Sequence, residues 1–187
     1  MKVYLSSTYK DLKDYRECVY RTLCKTEDVR VVAMEYYVAC YERPVNKCLY
    51  DVEKCDVYIG LFAWRYGFIP DGYDHSITNL EYLKAVETNK PTFIFVLDKN
   101  VVWPDELKDK STDKILKLRN EFENKYIVSH FLNKDDLAKE VAVVISNHIN
   151  KQKANTAQAN KSCTSIVNSH VGIIGDNALI KGGINFG

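Results

Sequence analysis

The chain has 187 residues, enough for one well-buried domain and an extension but short for two domains of ordinary size. Apolar residues at 46% and charged residues at 27% are those of a globular protein, and a net charge of +1 excludes a general electrostatic grip on nucleic acid or an anionic membrane. No apolar run approaches the roughly 18 residues of a membrane-spanning helix.

Met1 leads straight into a β-prone run with no basic-then-apolar leader. The six cysteines (18, 24, 40, 48, 55, 163) form no Cys-x-x-Cys pair and no zinc-ligand spacing with histidine, so they read as free thiols in a reducing cytoplasm.

In chain order, Lys2 to Leu5 reads as a first strand and Ser6-Ser7-Thr8 as the cap of a helix over Tyr9 to Cys24, with Leu12, Tyr15, Val19 and Leu23 inward. Val29 to Met34 is a second strand ending at Glu35. Pro44 stands at a first helical position, and Val45, Cys48, Leu49, Val52 and Cys55 follow at helical spacing. Val57 to Phe62 is a third strand, apolar throughout as expected of one covered on both faces. A loop with Gly67, Pro70 and Gly72 leads to a helix capped by Ser76 or Thr78 and running to about Asn89. Pro91 to Leu97 is a fourth strand, Asp98 to Lys110 a surface loop with Trp103-Pro104, and Ser111 to Lys125 a helix. Tyr126 to Phe131 is a shorter fifth strand, and a last helix begins after Asn133.

Five strands alternating with helices predict an α/β domain over residues 1–150, a five-stranded parallel sheet of flavodoxin or TIR type with helices on both faces and order 2-1-3-4-5. From 151 to 164 the composition turns polar and aperiodic, as in a linker. Residues 165–187 hold five of the chain's eight glycines. From Lys151 onward there are four lysines against one aspartate, +3, which leaves −2 for the first 150 residues. Gly175-Asp176-Asn177 would turn the chain so that 166–174 and 178–186 stack as a β-arch able to pair with identical copies, the alternative being a glycine-rich terminus without structure.

Chemistry concentrates at the expected carboxyl ends of the strands, where an open α/β sheet places its ligand. Glu81 falls in the opening turns of the helix after the third strand. The helix dipole favours a solvated carboxylate there, yet the same group beside a three-breaker loop would stabilise or attack an oxocarbenium-like ribosyl centre. Arg65 offers a planar fork for phosphate, and Trp64 or Tyr66 a face for a base or nicotinamide, unless these rings simply close the core edge. Ser6, Ser7 and Thr8 cap a helix or hold a phosphate on backbone amides. Ser76 belongs to the same expected site, and Glu35 is a second candidate acid ranked below Glu81.

Val3-Tyr-Leu-Ser-Ser-Thr-Tyr-Lys-Asp-Leu, Arg16, Ala33-Met-Glu, Cys55-Asp-Val-Tyr-Ile-Gly, Arg65-Tyr-Gly, Ser76-Ile-Thr-Asn-Leu-Glu-Tyr and Ala85 with Lys90-Pro resemble domain-of-unknown-function family 4062, a TIR-like family of signalling ATPases' N-termini. More distantly, Cys55-Asp-Val and Thr78-Asn-Leu-Glu81 through Lys90-Pro are similar to nucleoside 2-deoxyribosyltransferases, whose nucleophilic glutamate stands where Glu81 does, and TIR-type NAD hydrolases place theirs on the same helix. The resemblance implies cleavage of an N-glycosidic bond, with NAD as substrate rather than cofactor. The alternatives it leaves are a non-catalytic adaptor or oligomerisation module and a nucleotide sensor that binds without turnover. Val171-Gly-Ile-Ile-Gly-Asp-Asn and Ile180-Lys-Gly-Gly-Ile-Asn-Phe-Gly resemble the short amyloid signalling motifs of bacterial immune effectors, which implies a homo-oligomer or filament and a sensor protein with a matching motif.

Overall fold

The structure, a computed structural model, describes residues 1–36 and 43–158. Residues 165–187, and with them the expected β-arch, lie outside the described residues, as does the linker beyond residue 158.

Five parallel strands form one sheet in the order β2-β1-β3-β4-β5: β1 is Lys2–Ser7, β2 Arg30–Val32, β3 Val57–Phe62, β4 Thr92–Leu97 and β5 Ser129–Phe131. This is the flavodoxin-like arrangement that the strand–helix alternation predicts. The connecting helices are α1 (Tyr9–Leu23), α2 (Pro44–Glu53), α3 (Ile77–Glu87) and α4 (Asp113–Lys125), and a fifth, α5, occupies residues 134–158. Residues 1–143 make one compact unit, and 144–158 are the described part of a second. Among the described residues no helix is long and apolar enough to cross a membrane.

The central strand β3 is buried at every position, as its unbroken apolar run requires of a strand covered on both faces. Val57, Ile59 and Leu61 are fully buried, each contributing on the order of 1.5–3 kcal/mol. Alternation along the strands divides the core in two. Tyr4, Tyr58, Phe62, Ile94 and Val96 pack with Val52 of α2, Tyr82 and Ala85 of α3, and Ile115, Leu118 and Phe122 of α4. On the other parity, Phe131 of β5 meets Tyr15 of α1, ring centroids 5.6 Å apart.

Several boundaries differ from the sequence expectation for physical reasons. β1 does not stop at Leu5, because Ser6 and Ser7 stay in register with Gly60 and Leu61 of β3. The helix cap therefore falls on Thr8 alone, whose side chain makes no capping hydrogen bond. β2 is only three residues long, and Met34–Tyr36 turn into a 3-10 helix instead of continuing it. In the Asp98 to Lys110 segment Trp103 is buried, its ring 5.6 Å from that of Tyr15. Residues 151–158 are helical, the end of α5.

Candidate active site

Glu81 lies on the inward face of α3, one turn beyond the Ser76 cap, whose Oγ accepts from the Asn79 backbone N–H at 3.2 Å. Only 4% of Glu81 is exposed. Its carboxylate is held from β1, where residues of one parity face α3: the Tyr4 hydroxyl donates to Oε1 at 2.8 Å and the Ser6 hydroxyl donates a short bond to Oε2. Burial pushes the Glu81 pKa up, while the Ser6, Tyr4 and Cys48 groups and the Arg16 charge pull it back. The Tyr58 ring stacks on Tyr4 at 6.3 Å, and its hydroxyl is buried without a hydrogen bond of good geometry among the described residues. That hydroxyl is held protonated by burial and the Glu81 charge.

The other parity of β1 serves α1. Arg16, 3% exposed, donates from Nη1 to Ser7 Oγ at 2.8 Å and from Nη2 to the Leu5 carbonyl at 3.2 Å. Its Nε and Nη2 grip both oxygens of Glu35, the fork geometry that makes an arginine–carboxylate pair directional. Arg16 thus clamps the residues on either side of Ser6, and Ser6 orients Glu81. Glu35, the second candidate acid, is committed to this ion pair.

Around these groups is a cavity of about 230 Å³ at the carboxyl end of β1, with Tyr4, Ser6 and Glu81 on its floor and Ser7, Thr8, Arg16, Glu35 and Arg65 along its walls. Gly67, at φ +96°, closes one side; a Cβ there would come within 2.9 Å of Thr8 Cγ2, so the close approach of loop to helix cap requires glycine.

Of the residues expected from sequence, Ser6, Ser7, Thr8, Arg65 and Glu81 come together at this cavity. Arg65 also pairs with Asp109 at 3.3 Å. Trp64 lies instead against the Arg119 guanidinium, 4.3 Å from its ring centroid. Tyr66 belongs to a second cavity of about 260 Å³ with His75, Asn79, Lys114 and Lys117. Its hydroxyl meets His75 Nδ1 at 3.1 Å and accepts from Asn79 Nδ2 at 3.0 Å. Ser76 is fully buried and acts as the α3 cap.

Sequence reasoning did not assign Tyr4, Arg16, Tyr9, Lys10, Met34 or Phe68 to the site. Arg16 did leave a signal: it falls between Leu12 and Val19 on the buried stripe of α1, where an unpaired charge would be prohibitive.

Comparison with known proteins places the chain in a family. The model described as "Domain of unknown function (DUF4062)" matches residues 2–146. The chain belongs to the DUF4062 family. The match takes in every residue of the Glu81 cavity. No curated protein matches the chain. Among solved structures, the DUF4062 domain is similar to a 2-desoxiribosyltransferase from Leishmania mexicana, 19% identical with a TM-score of 0.39 over 59% of this chain and 78% of that one. It is also similar to the metal-soaked Flv1 flavodiiron core from Synechocystis, 12% identical with a TM-score of 0.39 over 75% of this chain and 32% of that one. Likenesses this distant carry no argument about activity.

Proposed function

We infer that this DUF4062 domain cleaves the N-glycosidic bond of a nucleotide, NAD being the favoured substrate, with Glu81 as the catalytic carboxylate. The observation that carries the reading is the environment of Glu81: a buried carboxylate at the floor of a cavity, its two oxygens held by neutral hydroxyl donors from one strand. No lysine or arginine forms an ion pair with it among the described residues, and Arg16 acts on it only through its charge, so a cationic species in the cavity meets a carboxyl group with no cation in direct contact. An oxocarbenium-like ribosyl centre is such a species. As the C1′–N bond of a nicotinamide riboside breaks, its electron pair leaves with the base, which departs as neutral nicotinamide and needs no proton. Glu81 stabilises or captures C1′, and water completes the hydrolysis. The Ser6–Thr8 segment lies on the phosphate side, and Arg65, paired with Asp109, lines the cavity beside it.

The wider reading is an immune or cell-death effector of the cytoplasm, switched on when residues 165–187 assemble with other copies or with a sensor bearing a matching motif. The four described cysteines, 18, 24, 48 and 55, are free thiols, in keeping with a reducing compartment. The test is release of free nicotinamide from NAD by the purified full chain, assembled and unassembled. Glu81→Gln should lower the rate at least a hundredfold, the scale on which a catalytic carboxyl acts, without lowering the denaturation midpoint, since the amide keeps the shape and removes a costly buried charge. Equal rates for the two proteins, or no consumption of NAD or any nucleoside by assembled wild type, would sink the enzymatic reading in favour of an adaptor.

A further inference from the structure

The mouth of the Glu81 cavity is built differently from its floor. The chain leaving each of β1, β2 and β3 brings one large apolar side chain to it: Tyr9, Met34 and Phe68. All three are exposed, Phe68 most of all at 71%. Single exposed apolar residues are ordinary, and Val102 and Ile127 are examples that line neither cavity. Three that converge on one opening from the segments after separate strands, above a floor of hydroxyls and a carboxylate, make a site polar at depth and apolar at its rim.

A nucleotide has the same polarity. Its ribose carries hydroxyls, its base presents two apolar faces, and the two are joined at C1′, so a base at the rim brings C1′ to the floor beside Glu81. The rings first expected to serve the base are engaged elsewhere, Trp64 with Arg119 and Tyr66 with Asn79 and His75. The wall cations are engaged as well: Arg16 is paired with Glu35 and Arg65 with Asp109. Lys10, in the first turn of α1, lines the cavity, is exposed, and has no ion-pair partner among the described residues.

Resting on the N-glycosidic reading, we propose that Tyr9 and Phe68 form the stacking surface for a planar heteroaromatic base, with Met34 at its edge and Lys10 taking the phosphate on the same nucleotide. Stacking recognises a π-face without reading its hydrogen-bonding edge, so this subsite accepts both a pyridine and a purine base. Met34 adds a polarisable thioether contact to a ring edge.

The experiment titrates the full chain, in a Glu81→Gln background so that nothing is turned over, with nicotinamide mononucleotide, AMP, adenosine and ribose 5-phosphate. Both nucleotides should bind at least tenfold more tightly than ribose 5-phosphate. Phe68→Ala and Tyr9→Ala should each cut that preference about five- to tenfold, the scale of one base–aromatic stack, while leaving ribose 5-phosphate within twofold. Phe68→Trp should restore the preference. Lys10→Ala should weaken the three phosphorylated ligands and leave adenosine unchanged. A base preference indifferent to both alanine variants overturns the proposal and assigns the rim to a macromolecular partner. Equal weakening of ribose 5-phosphate, or no binding of any of the four, also overturns it. A rim-dependent preference in a protein whose wild type releases no base would leave this subsite standing and remove the catalytic reading; base release with a rim-independent preference would do the reverse.

Discussion

Asp11, the third residue of α1, has its carboxyl group buried with neither oxygen in a hydrogen bond of good geometry. Burial pushes its pKa up from 3.8 to about 6, and the neighbouring Thr8 hydroxyl and the Arg65 charge offset only part of that. The folded protein therefore holds this proton more tightly than the unfolded chain does. The sign follows: stability falls as pH rises through the window between 3.8 and about 6, and the full cost is present above it. A rise of that size corresponds to about 3 kcal/mol. Asp11→Asn is accordingly expected to stabilise the protein by roughly 1–3 kcal/mol at pH 7.5 and by little at pH 4, read as the shift in urea midpoint at the two pH values. A variant less stable than wild type at pH 7.5 would mean that the ionised Asp11 serves Arg65. The sequence places Asp11 with Ser6, Ser7 and Thr8 at the end of the first strand, but it does not show that the carboxyl is buried, at 6% exposure. The place of Glu81 in the fold was legible by contrast, since helix position after the central strand is a local property.

At the scale of elements, strand and helix identity were legible from apolar periodicity, and the shortfalls came where tertiary pairing overrides local preference. Ser6 and Ser7 have the chemistry of a cap, yet β1 lies between two neighbours, and pairing with Gly60 and Leu61 keeps them in the sheet. The consequence is functional: in a strand, Ser6 shares a face with Tyr4 and Ser7 points oppositely, so one hydroxyl reaches Glu81 and the other reaches Arg16. A capping turn would not separate them in this way. Ser76 shows the converse case, a residue expected at the ligand that the structure gives to the helix. Its Oγ serves the first turn of α3 and it is fully buried. Ser76→Ala should cost about 1 kcal/mol, the usual loss for an N-cap hydroxyl, measured by denaturant unfolding. Nucleotide affinity should change no more than the helix frays. A large loss of affinity at unchanged stability would return Ser76 to the binding surface.

At the scale of the molecule, the order 2-1-3-4-5 follows from right-handed crossovers and short connections, which leave few other ways to wind five β-α units. The cavity was not legible to the same degree, because its lining comes from the end of β1, from the segment after β2, from α1 and α3 and from the loop after β3, whose meeting depends on register rather than on any local motif. The family match over residues 2–146 coincides with the part of the chain that builds the sheet and the cavity. It leaves residues 147–187 outside, including the segment with five of the eight glycines, and from Lys151 onward the charge is +3 against −2 for the first 150 residues. Two properties are therefore separable by truncation after residue 164. If the domain needs nothing from 165–187 to fold, the truncated and full chains share one denaturation midpoint. If those residues govern assembly through backbone pairing of β-prone, proline-free sequence, only the full chain shows concentration-dependent association by sedimentation, and only its associated form consumes NAD. A truncated chain that consumes NAD at the full rate would keep Glu81 as the catalytic group and remove the tail as its switch. A full chain that stays monomeric at high concentration would remove the switch by the other route.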